Sequence, residues 1–316
     1  MAEPGTARTE FSVPEGDAGQ RLDRYLRRVL PEVPLSRIFS LLRKGAVRLN
    51  GRKAKGEARL EPDDKILVDV PSEDLRQAPP DRAAGGGFRG RIEVLFEDDD
   101  LLVLDKPAGM AVHPGTGTPP GTTVIERVWQ ELGVSNSVFQ PALAHRLDRG
   151  TSGVLVVAKT RKALLDIQRQ IQSKDTPKEY IALVEGVPAK NSGVIKERLT
   201  RVDSRDRGAK SVVAKAGEEG LDSETRWKLR TRFGEYALVD VQILSGRLHQ
   251  IRAHMASIGH PVAGDDRYGT VKFAGLKRPF LHAARLGLKL YGRNVFFESP
   301  LPSDLGAVVK RLEVRK

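Results

Sequence analysis

An α+β protein in two parts is what this sequence predicts: a small α/β unit near the amino end, then a larger unit built on a mixed or antiparallel sheet. Three observations carry that reading. From Ile92 onward many strand-like apolar runs accompany only a few helical ones, which argues against a doubly wound fold. Residues 17–75 compress two helical patterns and a hairpin signal into a short span. Between these regions, SEDLRQAPPDRAAGGGFRGR (72–91) carries Pro79–Pro80 and Gly85–Gly86–Gly87 and almost nothing apolar, the composition of a linker. The expected boundaries are a flexible tail at 1–16, the small unit at 17–75, a linker at 76–90 and the large unit at 91–316.

In the small unit, RLDRYLRRVL (21–30) places Leu22, Tyr25, Leu26 and Val29 on one helical face. Pro31 and Pro34 punctuate, and Ser36 offers a cap to a second helix, SRIFSLLRKG, whose Ile38, Phe39, Leu41 and Leu42 cover a face. Gly45 stops it. VRLNGRKA alternates and then turns at Asn50–Gly51, a pair that favours a type I′ hairpin. Asp63–Asp64 marks another turn before the strand KILVDV (65–70). So small a core suits binding rather than chemistry.

In the large unit, IEVLFED (92–98) and LLVLDK (101–106) read as strands around the turn Asp98–Asp99–Asp100. A short apolar run recurs at Ala142–Leu143–Ala144. GVLVVAKT (153–160) is a continuous buried strand. RKALLDIQRQIQS (161–173) is a helix with Ala163, Leu164, Ile167 and Ile171 inward. YIALVEG (180–186) and YALVDVQILSG (236–246) are strands, and LHQIRAHMASIG (248–259) has helical spacing. SRDRGAKSVVAKAGEEGLDS (204–223) reads as a long loop or hairpin excursion.

Composition narrows the function classes. The 316 residues contain 53 Lys and Arg against 41 Asp and Glu, a net charge of +12, and no cysteine. Disulfide scaffolds, cysteine-ligated metals and thiol chemistry are therefore excluded. No apolar stretch approaches the roughly 20 residues of a membrane span. The start, MAEPGTARTEFSV, has no basic region ahead of an apolar one, so no export signal is read and a cytoplasmic protein is expected. Charge is concentrated: residues 21–59 hold twelve basic and three acidic residues. A surface facing phosphates explains that cluster better than a basic surface with no partner.

Polar residues that could do chemistry gather in three places. AHRLDRGTSG (144–153) reads either as a salt-bridged turn or as an anionic nucleophile, Asp148, in an arginine-rich setting. SGRLHQIRAHMASIGHPVAGDDRYG (245–269) holds His249, His254 and His260, but spacings of five and six with no HExxH do not make a metal site, and none is expected. Arg247, Gln250 and Arg252 serve better as hydrogen-bond donors, and Arg252 could pair bidentately with Asp148. KPAGMAVHPGTGTPPG (106–121) is neither a Walker A loop nor a GxGxxG; it is a rigid loop, either structural or passing phosphate or sugar over its backbone. Tyr180 is either a buried tyrosine with a partner or an aromatic stacked on a base.

Two resemblances bear on these residues. Arg21–Leu22–Asp23, Ser36–Arg37, Lys44–Gly45, Val47, Leu49–Asn50–Gly51 and Asp63–Lys65–Ile66 resemble the S4 RNA-binding domain over about residues 17–72. That resemblance implies structured RNA as a partner, with Arg21, Arg37, Arg43, Lys44, Arg48, Arg52 and Lys53 as the RNA-facing cations. DKPAGMAVHPGTG (105–117), HRLDRGTSGVLVVAKT (145–160), KEYIALVEG (178–186), GRLHQIRAHMASIGHPVAGDDRYG (246–269) and LHAARL (281–286), in that order, resemble the pseudouridine synthases of the large-subunit ribosomal RNA group, the RluA family, in its C/D-like branch. HRLDRxTSG is highly specific, and the two resemblances together cover nearly the whole chain.

What the second resemblance implies transfers residue by residue. Asp148 matches the nucleophilic aspartate, Arg146 the arginine that helps extrude the base, Tyr180 the tyrosine that packs on it, and Arg252 the basic residue paired with the aspartate. His145, Arg149, His113 and Gln250 join Arg146 as expected substrate-binding residues, with no chemical step assigned to His145. Leu248 departs from the family, which usually has threonine or serine there. The implied reaction isomerises a uridine within RNA, needs no cofactor, and takes 23S ribosomal RNA or a particle on the way to the 50S subunit as substrate. A transfer-RNA or dual-substrate synthase, a catalytically inert RNA-binding protein, and a glycosidic hydrolase using Asp265–Asp266 as a second acid are the competing readings. A monomer is expected.

Overall fold

The computed structural model describes residues 6–14, 17–30, 33, 35–71, 91–115, 118–133, 139–173, 176–203, 209–215, 217–269 and 275–314, which form two compact units. The smaller contains strand β1 (Thr6–Ser12), helices α1 (Leu22–Val29) and α2 (Leu35–Lys44), and strands β2 (Val47–Leu49), β3 (Arg52–Lys53) and β4 (Lys65–Pro71). Its sheet is antiparallel, in the order β1-β4-β2-β3. Leu22, Tyr25 and Leu26 of α1 and Ile38, Leu41 and Leu42 of α2 are buried against Val47, Ile66 and Val68 of the sheet. Asn50 and Gly51 both have positive φ (50° and 78°), as the type I′ turn requires. Asn50 also ties this turn to the next one, donating to Asp64 Oδ1 at 2.7 Å and accepting from the Lys65 N–H at 2.8 Å.

Three expectations change here. The tail at 1–16 is in part a strand: Thr6–Ser12 pairs with β4 along its full length, because RTEFS supplies an extended segment with Phe11 packed on the core. Helix α2 begins at Leu35, so Ser36 lies inside its first turn and is not its cap. Phe39 is exposed, since it sits one 100° step away from the buried Ile38–Leu41–Leu42 face. The expected linker at 76–90 lies outside the described residues.

The larger unit contains β5 (Glu93–Glu97), β6 (Leu101–Lys106), α3 (Val124–Glu131), β7 (Ala142–Leu143), β8 (Ser152–Ala158), α4 (Arg161–Gln172), β9 (Lys178–Glu185), β10 (Ser192–Val202), β11 (Lys210–Val213), β12 (Leu221–Phe233), β13 (Tyr236–Ile243), α5 (Gln250–Ser257), β14 (Leu281–Leu290), β15 (Arg293–Glu298) and α6 (Ser303–Glu313). One sheet runs β11-β10-β12-β13-β9-β14-β8-β6-β5, with β15 added on β14 and β7 on β8. Among the described residues only β8 and β14 pair in parallel, so the sheet is mixed, as expected. The 204–223 excursion contributes strand β11 and the start of β12.

Alternation along the central strands builds a core on each face. Leu102, Leu104, Leu155 and Val157 join Val124, Ile125 and Val128 of α3 and Leu305 and Val308 of α6. Leu101, Val103, Val154 and Val156 join Ile167 of α4 and Leu286 and Phe297 on the other face. Each such side chain contributes roughly 1.5–3 kcal/mol when fully buried. Helix starts are fixed locally. Thr123 and Glu126 form a reciprocal capping box on α3, and Thr160 accepts from the Ala163 N–H at the start of α4.

The parallel β8–β14 contact also explains the Thr-Ser-Gly at the head of β8. Gly153 has φ of 116°, and a Cβ there would collide with the Ala283 carbonyl. Ser152 hydrogen-bonds the buried His282 at 3.0 Å. The loop before β8, the head of β9 and the start of α5 therefore converge on one side of the sheet.

Candidate active site

That convergence encloses a cavity of about 500 Å³, of the size that holds a small ligand. Arg146, Asp148, Tyr180 and Arg252 all line it. Asp148 opens to it, its side chain keeping 16 % exposure. The Asp148 carbonyl accepts from the Thr151 N–H at 3.0 Å, closing the turn that presents the carboxylate.

Arg252 is the centre of the charge network. Its Nε and Nη2 donate to Asp265 at 2.6 and 2.8 Å, and its Nη1 donates to Asp148 Oδ2 at 3.3 Å. The bidentate partner is thus Asp265 and not Asp148. Asp265 is fully buried and also accepts from the Arg267 and Tyr268 N–H groups at 3.0 and 3.3 Å. It cannot be the second acid of a hydrolase, because it is committed to aiming the arginine. Burial alone would lower the Arg252 pKa, but the hydrogen bonds and charge of Asp265, then those of Asp148, raise it overall.

Tyr180 is buried, and burial first, then the charge of Asp148, pushes its pKa up, so its hydroxyl stays neutral. Arg146 is exposed at the cavity and its guanidinium makes no hydrogen bond to a described residue.

Of the other expected substrate contacts, His145 and Gln250 line the cavity while also bonding within the protein, and Arg149 and His113 lie outside the lining. His145 Nε2 accepts from the Val156 N–H at 3.1 Å, and burial pushes its pKa down to about 4. Arg149 donates to the Gly109 carbonyl at 2.8 Å and does not line the cavity. The Gln250 amide accepts from the Ser245 hydroxyl and the Arg247 N–H and donates to the Glu224 carbonyl and the Thr225 hydroxyl, which holds the start of α5 in place. His113 lies on an exposed loop outside the cavity lining, its pKa lowered by desolvation and then by the charge of Arg146. Of the three clustered histidines, His249 lines the cavity, His254 bonds Thr225 and Ser223, and His260 bonds the Glu185 carbonyl. Among the described residues no group of His, Asp and Glu could hold a metal ion.

Two lysines at the site fall within motif segments, but their burial carries no signal in the sequence, because lysine is ordinarily a surface residue. Lys106 is fully buried; its Nζ donates to the carbonyls of Pro107 (2.8 Å), Thr151 (2.7 Å) and Arg149 (3.4 Å), pinning the loop that carries Asp148. Burial drives its pKa down to about 7. Lys178, two residues before Tyr180 and on the same strand face, lines the cavity with its buried Nζ unbonded among the described residues. Burial, then the charge of Arg247, lowers its pKa to about 8.

In the small unit, Arg43, Lys44, Arg48, Arg52 and Lys53 are exposed. Arg48 and Lys53 stand opposite each other across β2 and β3, and the Lys53 stem crosses Gly45 at the end of α2. Arg37 is partly buried. Arg21 differs: its guanidinium is bound to Asp23 at 3.1 and 2.7 Å, where it fixes the start of α1.

Comparison with known proteins gives the same two-part division. Residues 100–257 match the RNA pseudouridylate synthase family and residues 20–66 the S4 domain. The chain is 36 % identical to a ribosomal large subunit pseudouridine synthase C from Haemophilus ducreyi, over 97 % of this chain and 96 % of that protein. It is 38 % identical to the protein of the same name from Escherichia coli, over 92 % and 91 % respectively. Among solved structures, human RNA pseudouridylate synthase domain containing 4 matches with a TM-score of 0.57 at 22 % identity, covering 70 % of this chain and 92 % of that one, a likeness of fold. No described helix is long and apolar enough to cross a membrane.

Proposed function

The chain belongs to the RNA pseudouridylate synthase family, and from that premise we propose that it converts uridine to pseudouridine in large-subunit ribosomal RNA, in the cytoplasm, with Asp148 as the reacting carboxylate. The observation that carries the reading is an acidic side chain open to a cavity and held there by an arginine that is itself anchored by a second, buried carboxylate. The names of the similar proteins and the basic small unit support ribosomal RNA over transfer RNA as the substrate.

The chemistry follows from the residues. A uridine inside folded RNA must leave its stack before its glycosidic bond can be reached. Arg146, exposed and unbonded to any described residue, fills the space that the flipped base leaves or holds the phosphate. The Asp148 carboxylate bonds to C1′ as the N1–C1′ bond breaks with its electron pair leaving on uracil. The base turns against Tyr180, C5 bonds to C1′ and displaces the carboxylate with its electron pair, and the proton lost at C5 is balanced by one gained at N1. The product is an isomer, so no redox partner or cofactor enters. Arg252 keeps the Asp148 carboxylate aimed throughout.

Mapping pseudouridines in total RNA tests the proposal. Cells lacking the gene should lose modification at a few large-subunit positions, and a copy bearing Asp148→Ala should fail to restore them. Restoration by Asp148→Ala at a near wild-type level would refute the assignment. Loss confined to transfer RNA would refute the choice of substrate.

A further inference from the structure

His249 enters α5 in the left-handed region, with φ of 52° and ψ of 25°. A non-glycine residue there costs energy that the surrounding structure must hold in place, and such residues cluster at functional sites. The conformation sets the imidazole on the cavity wall, where Nε2 lies 3.8 Å from Asp148 Oδ2.

The hydrogen bonds on the far side of the ring decide which nitrogen carries the proton. Tyr268 Oη donates to the Ser211 carbonyl at 2.7 Å and accepts from the Ser211 N–H at 3.0 Å. Its only proton is therefore spent, and its remaining lone pair faces His249 Nδ1 at 3.1 Å. Nδ1 must be the donor, and in the neutral ring Nε2 is then an acceptor. Burial, ahead of the neighbouring charges, pushes the His249 pKa down to about 4, so the ring is neutral near pH 7.

Nε2 thus presents a lone pair beside a carboxylate oxygen that already accepts from Arg252. Two acceptors 3.8 Å apart cannot satisfy each other, so Nε2 is open to a donor on whatever enters the cavity. Under the functional reading above, on which this inference rests, Asp148 works at C1′. The donor one carbon away from C1′ is the ribose 2′-hydroxyl. We propose that His249 Nε2 accepts a hydrogen bond from the 2′-hydroxyl of the target nucleotide and so selects ribose over deoxyribose at the reacting position. Because that hydroxyl is the group by which a protein tells RNA from DNA at one site, His249 is a specificity-determining residue.

The test pairs one atom of the substrate with one side chain. Two RNAs are prepared around a uridine that the wild type converts, identical except for uridine or 2′-deoxyuridine at that position. Single-turnover rates are compared for wild type, His249→Asn and Tyr268→Phe. Asparagine tolerates the left-handed backbone, and phenylalanine removes the hydroxyl that fixes the tautomer, together with its two bonds to Ser211. Wild type should slow about 10- to 100-fold on loss of the hydroxyl, the cost of an acceptor left unmade. In His249→Asn that penalty should shrink to about threefold or less, and Tyr268→Phe should give an intermediate value. A penalty unchanged in His249→Asn overturns the proposal, as does a wild type indifferent to the deoxy substitution. If His249→Asn does not fold, an unchanged penalty in Tyr268→Phe overturns it. Failure of the wild type on every all-ribose RNA would instead defeat the functional reading itself.

Discussion

Two basic regions of this chain hold their positive charge in opposite ways. At the cavity, Arg252 is buried and spends three nitrogens on two carboxylates, so its charge is fixed in place. On the small unit, Arg43, Lys44, Arg48, Arg52 and Lys53 are exposed. A fixed charge can aim a reacting group but adapts to nothing, whereas exposed surface charges can follow a phosphate backbone but aim nothing. Substitutions should therefore fail differently in the two regions: in rate at the cavity, and in affinity and salt dependence on the small unit.

The largest effect is expected from Arg252→Ala. It leaves Asp265 buried without its cation, a loss of about 3–5 kcal/mol in stability, and it removes the group that aims Asp148. Turnover should fall by about 10³-fold or more even where the variant is folded. Thermal denaturation and single-turnover rates together check this. Asp265→Asn comes next. It keeps the size of the side chain but weakens the bidentate anchor, so Arg252 can shift while keeping its charge. A shift of about 1 Å costs about 10²-fold in rate. If Asp265→Asn reacts at the wild-type rate, the fixed-charge account of the cavity is broken.

Lys106 offers a test of the loop beneath Asp148. Its folded pKa of about 7 lies below the ordinary lysine value of 10.5. The unfolded chain therefore binds more protons between about pH 7 and pH 10, and the contribution of Lys106 to stability rises with pH across that window, at up to about 1.4 kcal/mol per unit. Below about pH 7 both states are protonated and the contribution is flat. Urea denaturation of wild type and Lys106→Met at pH 7.5 and 9.5 should show the difference between them moving in favour of wild type. An equal response to pH in the two proteins would mean that the ammonium is not held down by burial.

What the sequence reveals follows the same division between local pattern and burial. The helices of the small unit, the Asn50–Gly51 turn and the strand before Thr160 are written in local periodicity and turn chemistry, and they fold as that chemistry dictates. Asp148, Arg146, Tyr180 and Arg252 are marked by motif order, and the fold brings them to one cavity. Burial is not legible. Asp265 resembles a spare acid because adjacency to Asp266 says nothing of the arginine enclosing it. His145 and Gln250 reach the cavity as their motif positions imply, but the hydrogen bonds that tie them to Val156 on β8 and to Glu224 and Thr225 on β12 are not written near them in the sequence. The burial of Lys106 and Lys178 stays hidden as well, since nothing local marks a buried lysine. Strand β1 leaves no signal because a short extended segment in a polar terminus is defined by its partner β4, far away in sequence.

The smallest expected effect sharpens the comparison from the other side. Arg43→Glu with Lys44→Glu reverses two exposed charges at the end of α2, a position with no part in the cavity. Each phosphate that is no longer neutralised takes about 0.7–0.9 off the slope of log affinity against log salt, so the pair should lower that slope by about 1.4–1.8. Affinity at low salt should fall about tenfold, and the gap should close as salt is raised, because screening removes the advantage of the wild type. Filter binding across a salt series, set beside single-turnover rates at saturating RNA, separates the two quantities. A variant that loses rate at saturation while keeping its salt slope would show the small unit acting on the chemistry and not on capture, and the division between fixed and adaptable charge would fail.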